Sequence, residues 1–165
     1  MSNNYLDAIL SLDPDYEVSV IGDPSVYSNI NWGSETPINQ ATLDSVIASA
    51  TLNQAKNKKK SEMRTARNEA LSRFVNYSGH DHEMTAPVLA YLSAAVAHVA
   101  GGGSLPASFA VLTVAGGSVI ADATYVKGLL SNTLTQQKNH VDTYAARCAS
   151  IDAAADVATV EAIVW

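Results

Sequence analysis

The chain has one cysteine, Cys148, so no disulfide can form within it. It stands among alanines in a helical stretch and reads as a small packed residue. Nothing in the sequence asks for an oxidising compartment. Aromatic residues are also sparse, at 7% of 165 residues. The hydrophobic share is 47%, but alanine supplies much of it. Alanine buries less area per residue than leucine, isoleucine or phenylalanine. Part of the stability is therefore expected from close helix–helix contact or from a second subunit. The opening MSNNYLDAIL has no basic stretch and no apolar run of spanning length, which argues against a signal peptide and against membrane insertion. A soluble chain of one domain, or two very small ones, is the expectation.

Positive charge is missing from the first 37 residues, which hold six acids and no Lys or Arg. Residues 38–76 carry seven Lys/Arg against three acids, and residues 77–165 carry three against seven. The net charge of −6 disfavours a general nucleic-acid binder or a ligand of anionic membranes. The basic middle can pair with the acidic flanks, or it can be a solvated helix face; the second reading is the ordinary one.

The pattern predicts a mainly α fold, a helical hairpin or bundle with one or two small β-hairpins, in three regions. Residues 1–37 form a small N-terminal hairpin region. Tyr5 to Leu12 is amphipathic and is stopped by Asp13-Pro14. Tyr16–Ile21 and Val26–Trp32 suit strands about the Gly22-Asp23-Pro24 turn. Residues 38–100 form a helical region. From Ala41 to about Asn76 neither glycine nor proline interrupts two apolar stripes, Leu43, Val46, Ile47, Ala50 and then Met63, Ala66, Ala70, Leu71, Phe74. Between them NQAKNKKKSE is almost wholly polar, so the helix there projects into solvent or breaks. Its lysines resemble a nuclear-localisation run, but a solvated surface is the simpler reading. Tyr77 to Glu83 reads as a loop. Thr85 then caps a helix with Pro87 in its first turn, ended by Gly101-Gly102-Gly103.

Residues 101–165 hold a second hairpin and a C-terminal helical hairpin. Strands at 109–114 and 118–121 flank Gly116-Gly117, and helix extends over 122–163. In it Leu130, Leu134, Gln137, Val141, Tyr144, Cys148 and Ile151 alternate spacings of four and three, the rhythm of a coiled-coil seam. An intramolecular helix pair uses the same spacing. Gln137 is the one amide in that seam. Around a three-fold axis three such amides can bond one another, which favours a homo-trimer over a lone buried amide.

Chemistry is scarce. His80-Asp81-His82 is the one metal-like constellation: alternate histidines facing one way can hold a first-row metal, or combine on a trimer axis. The alternative is a polar surface loop. Gly101-Gly102-Gly103-Ser104 runs into Leu105-Pro106, so it is no phosphate loop. Cys148 and His140 lie two turns apart on one helix, too far for a nucleophile–base pair. No catalytic residue and no cofactor is expected.

Two stretches resemble proteins of tailed bacteriophages. Ile30-Asn31-Trp32 followed by Thr36-Pro37-Ile38 is similar to the opening of small tail-fibre-region proteins. Ala66-Arg67-Asn68-Glu69-Ala70, the hairpin, the long helix and the closing IDAAADVATVEAIVW resemble a C-terminal domain of unknown function common in phage tail-fibre and tail-assembly proteins. Where that family often has a Gly/Thr-rich β insertion, this chain has NYSGHDHEMT. The resemblance implies a non-enzymatic virion component of the tail fibre, adaptor or baseplate region, made in the host cytoplasm and partnered by itself and by other tail proteins. Its trimeric habit agrees with the Gln137 argument. Alternatives are a tail-fibre assembly chaperone and, more weakly, an adhesin for a host surface receptor. No site residue is carried over from the family.

Overall fold

A computed structural model describes residues 4–165. It is 59% helical, with five α-helices and small two-stranded antiparallel sheets, a mainly α fold. The elements run α1 (Tyr5–Leu12), β1 (Ser19–Val20), β2 (Ile30–Asn31), α2 (Gln40–Ser72), β3 (Val75–Tyr77), β4 (His80–His82), α3 (Ala86–Ala100), β5 (Ala110–Leu112), β6 (Ser118–Ile120), α4 (Ala123–Ala153) and α5 (Val157–Glu161). Each sheet is a hairpin, β1–β2, β3–β4 and β5–β6. The chain divides into two compact units. One takes the described residues up to Ser61 with Ser150–Val164, the other Glu62–Ala149 with Trp165. The boundaries after Ser61 and before Ser150 fall inside helices, α2 and α4.

In the first unit, Asn4 caps α1 by accepting from the Asp7 N–H at 2.9 Å. Asp13 ends the helix in an extended conformation, as the residue before proline should. The β1–β2 pairing is shorter than the sequence suggests, Ser19↔Asn31 and Val20↔Ile30, because a 3₁₀ turn at Tyr27–Asn29 takes up part of the second strand. Its core is Tyr5, Ala8, Ile9, Ile30 and Leu43, with Tyr16, Tyr27 and Trp32 packed against it. Phenols tie this cluster down at its edge. Tyr27 donates to the Ile38 carbonyl at 2.7 Å, Tyr16 to the Thr36 carbonyl at 3.0 Å, and Tyr5 to Asp44 Oδ1 at 2.6 Å. The Asp44 bond, helped by desolvation, holds the Tyr5 phenol above its ordinary pKa.

The polar stretch Asn53 to Glu62 does not break α2, which runs on to Ser72. Its lysines have specific work in the first unit. Lys56 Nζ donates to the Asp152 carbonyl at 2.9 Å, Lys59 Nζ to the Glu161 carbonyl at 3.1 Å, and Lys60 pairs with the Asp152 carboxylate at 2.6 Å. Asp152 and Glu161 lie at the C-terminal ends of α4 and α5, where carbonyls lack helical partners and the helix dipole favours a cation. Of the two expectations for this segment, the break is therefore corrected, while the solvent-facing helix surface holds, since no residue from Asn53 to Glu62 is buried. The expected C-terminal helical region comes in two pieces: α4 ends at Ala153, and Asp156 starts α5 by accepting from the Thr159 N–H at 2.7 Å.

In the second unit the expected loop at 77–83 is a hairpin, β3–β4, registered Val75↔His82 and Tyr77↔His80. Ser78 and Gly79 both have positive φ, 52° and 81°, the backbone a two-residue hairpin turn demands. The same hairpin ends α2 before residue 76. The core gathers Val75, Met84, Leu92, Val111, Val126 and Leu129 from β3, α3, β5 and α4. Pro87 sits in the first turn of α3 as expected, and the left-handed glycine after that helix is Gly102, φ 87°. The β5–β6 hairpin pairs Ala110↔Ile120 through Leu112↔Ser118.

Candidate functional site

His82 ends β4 with its ring fully buried. Its Nδ1 lies 2.9 Å from the Leu112 carbonyl, which can only accept, so Nδ1 carries the proton and donates. Nε2 then accepts from the Tyr125 hydroxyl at 2.8 Å. A backbone bond from the Val114 N–H to the Asp81 carbonyl, 2.8 Å, runs alongside. One imidazole thus joins β4, the end of β5 and the first turn of α4. Tyr125 stands edge-on to both His82 and Tyr77, and burial, with a smaller contribution from Tyr77, pushes its phenol pKa up.

This arrangement redefines the expected metal pair. His80 is exposed, but His82 is inside the core with both nitrogens engaged. To ligate a metal, His82 would have to break one of those bonds. Among the described residues no three His, Cys, Asp or Glu side chains cluster as a metal site. The sequence shows two histidines one residue apart; it does not show that a tight turn puts one of them inside. Cys148 is a half-buried free thiol on α4, and His140 on the same helix stacks on Trp165 at 6.4 Å between ring centroids.

The seam of α4 divides by exposure. Leu134 and Val141 are 55% and 48% exposed, whereas Leu130, Gln137, Tyr144 and Cys148 are half-buried and Ile151 is buried. The residues that α4 commits to the core of the second unit are Val126, Leu129 and Thr133, a row shifted by one position from the seam. Thr133 satisfies its hydroxyl on the Leu129 carbonyl at 2.8 Å. Gln137 lies in the wall of a cavity. On the same unit, Leu112 and Ile120, both exposed, share the outer face of the β5–β6 hairpin. The apolar surface left open in this unit thus includes a helix stripe and a hairpin face.

No helix among the described residues is long and apolar enough to cross a membrane. In comparisons with known proteins, the chain matches no family model, no curated protein and no solved structure.

Proposed function

We propose that this chain is a non-enzymatic structural subunit of a bacteriophage tail, in the tail fibre, an adaptor or the baseplate region, and that it works as a homo-oligomer, with a trimer as the preferred state. The observation that carries the assembly part is the Leu134–Val141 stripe. Two branched aliphatic side chains seven residues apart stand open on a 31-residue helix whose own unit already has its core. Bringing such a stripe out of water contributes about 1.5–3 kcal/mol for each large side chain fully buried. The phage assignment rests on the resemblance of Ile30-Asn31-Trp32, Ala66 to Ala70 and Ile151 to Trp165 to tail-region proteins. The tail is the expected location, after synthesis in the host cytoplasm.

Mass spectrometry of purified particles tests this. The chain is expected among the tail proteins in several copies. Its absence from mature particles, together with a raised soluble yield of a co-expressed fibre protein, would replace the structural role with that of an assembly chaperone.

A further inference from the structure

The second unit contains a cavity of about 190 Å³. Its apolar wall comes from Leu71, Phe74, Met84 and Trp165, and Phe74 is 51% exposed. Its polar side comes from Arg73 and from Gln136, Gln137 and His140, which lie within about one turn of α4. Among the described residues the side chains of Arg73, Gln136 and Gln137 make no hydrogen bond or ion pair, although all three reach one concavity. No Asp or Glu side chain lines the space, and Arg73 brings a permanent positive charge.

Size and chemistry together restrict the occupant. An apolar cavity of about 150 Å³ is enough for benzene, so this one takes a single ring and little more. The aromatic and aliphatic wall suits the ring. A guanidinium and two amides suit a carboxylate, since arginine forms paired charge-assisted bonds to it and the amide N–H groups add donors. We propose that this cavity is a binding site for a one-ring aromatic carboxylate. The ring packs among Leu71, Phe74, Met84 and Trp165, and the carboxylate faces Arg73 with Gln136 and Gln137. A free aromatic acid and the terminal phenylalanine of a peptide share that chemistry.

Calorimetric titration of the full chain with 3-phenylpropionate and with its neutral amide tests the site. The Trp165 indole N–H resonance, assigned with Trp165→Phe, is followed in parallel. The acid is expected to saturate the protein with a Kd at or below about 1 mM and to shift the indole resonance. The amide is expected to bind about tenfold more weakly, the worth of a charge-assisted bond. Arg73→Met should remove that preference while leaving the circular dichroism spectrum unchanged. Gly-Gly-Phe with a free terminus, compared with its amidated form, distinguishes the sources. Tighter binding than phenylpropionate assigns the site to a peptide terminus, and weaker binding assigns it to a free acid. Equal binding of acid and amide to the unmodified chain would overturn the proposal. So would no saturation by about 10 mM, or binding that leaves the indole resonance unmoved.

Discussion

The Tyr77 phenol crosses α4 directly over Gly128: a Cβ added at Gly128 would lie 1.8 Å from the phenol oxygen and 2.6 Å from Cζ. Glycine in mid-helix ordinarily costs about 1 kcal/mol relative to alanine. Here it is retained because β3 lies against the helix at that point, and Asn132 Nδ2 reinforces the approach by donating to the Asn76 carbonyl at 3.0 Å.

Gly128→Ala should therefore destabilise the second unit by about 1–3 kcal/mol, the range for forcing atoms into a packed site, against its favourable helix propensity. Thermal unfolding of the variant checks this. Combining it with Tyr77→Ala, which removes the obstructing ring, should recover the usual benefit of alanine relative to Tyr77→Ala alone. A variant that melts above the unmodified chain would show that Tyr77 does not hold this position.

Tyr125→Phe removes the one donor to His82 Nε2 and leaves that nitrogen buried without a partner. An unpaired buried polar atom costs about 1–3 kcal/mol. Denaturant unfolding should show a loss in that range with an unchanged slope. Amide exchange should quicken at Val114, whose N–H bonds to Asp81 beside the imidazole. Exchange quickened only in the first unit would contradict the bridging role of His82.

The helices were legible because their signals are long: 33 residues of α2 hold no glycine or proline, and Asp13-Pro14 and the glycines after Ala100 mark clear ends. The β5–β6 hairpin was legible from its Gly-Gly turn. The β3–β4 hairpin was not, since VNYSGHDH has one β-branched residue and its turn signal is a single Ser-Gly. What fixes it is tertiary: His82 finds the Leu112 carbonyl 30 residues later and the Tyr125 hydroxyl 43 residues later. The partners of the α2 lysines were not legible for the same reason, since the carbonyls of Asp152 and Glu161 lie 96 and 102 residues away. The cavity by Trp165 draws on α2, β3 and α4, and no spacing within one segment announces it.

Asp156 provides a pH signature. Its carboxylate accepts from the Thr159 backbone N–H first and from the Thr159 hydroxyl second, which holds its pKa below the usual aspartate value. A depressed folded-state pKa means that the cap contributes fully above the unfolded-chain value, and the contribution is lost as pH falls through the folded value. Melting temperature followed from neutral to acid pH should fall in that window in the unmodified chain. Asp156→Asn keeps a capping oxygen that does not titrate, so its decline should be smaller over the same interval. Identical pH profiles would mean that this cap is not what ties α5 down.

The open stripe of α4 gives the test of assembly. Leu134 and Val141 make no contribution to the core of the second unit, so Leu134→Glu and Val141→Glu together should leave helix content and unfolding behaviour nearly unchanged. If the stripe is the contact between copies, six carboxylates around a three-fold axis would repel one another in a poorly hydrated interface. Light scattering at micromolar concentration should then report about three times the 17.4 kDa chain mass for the unmodified protein and the single-chain mass for the double variant. Gln137→Leu separates the role of the amide from that of the aliphatic pair. Because Gln137 lies in the cavity wall beside Arg73, the leucine variant should keep the mass of the unmodified protein, and a broadened mass distribution would place the amide on the axis instead. An unmodified chain that is monomeric under the same conditions would remove the self-association reading altogether.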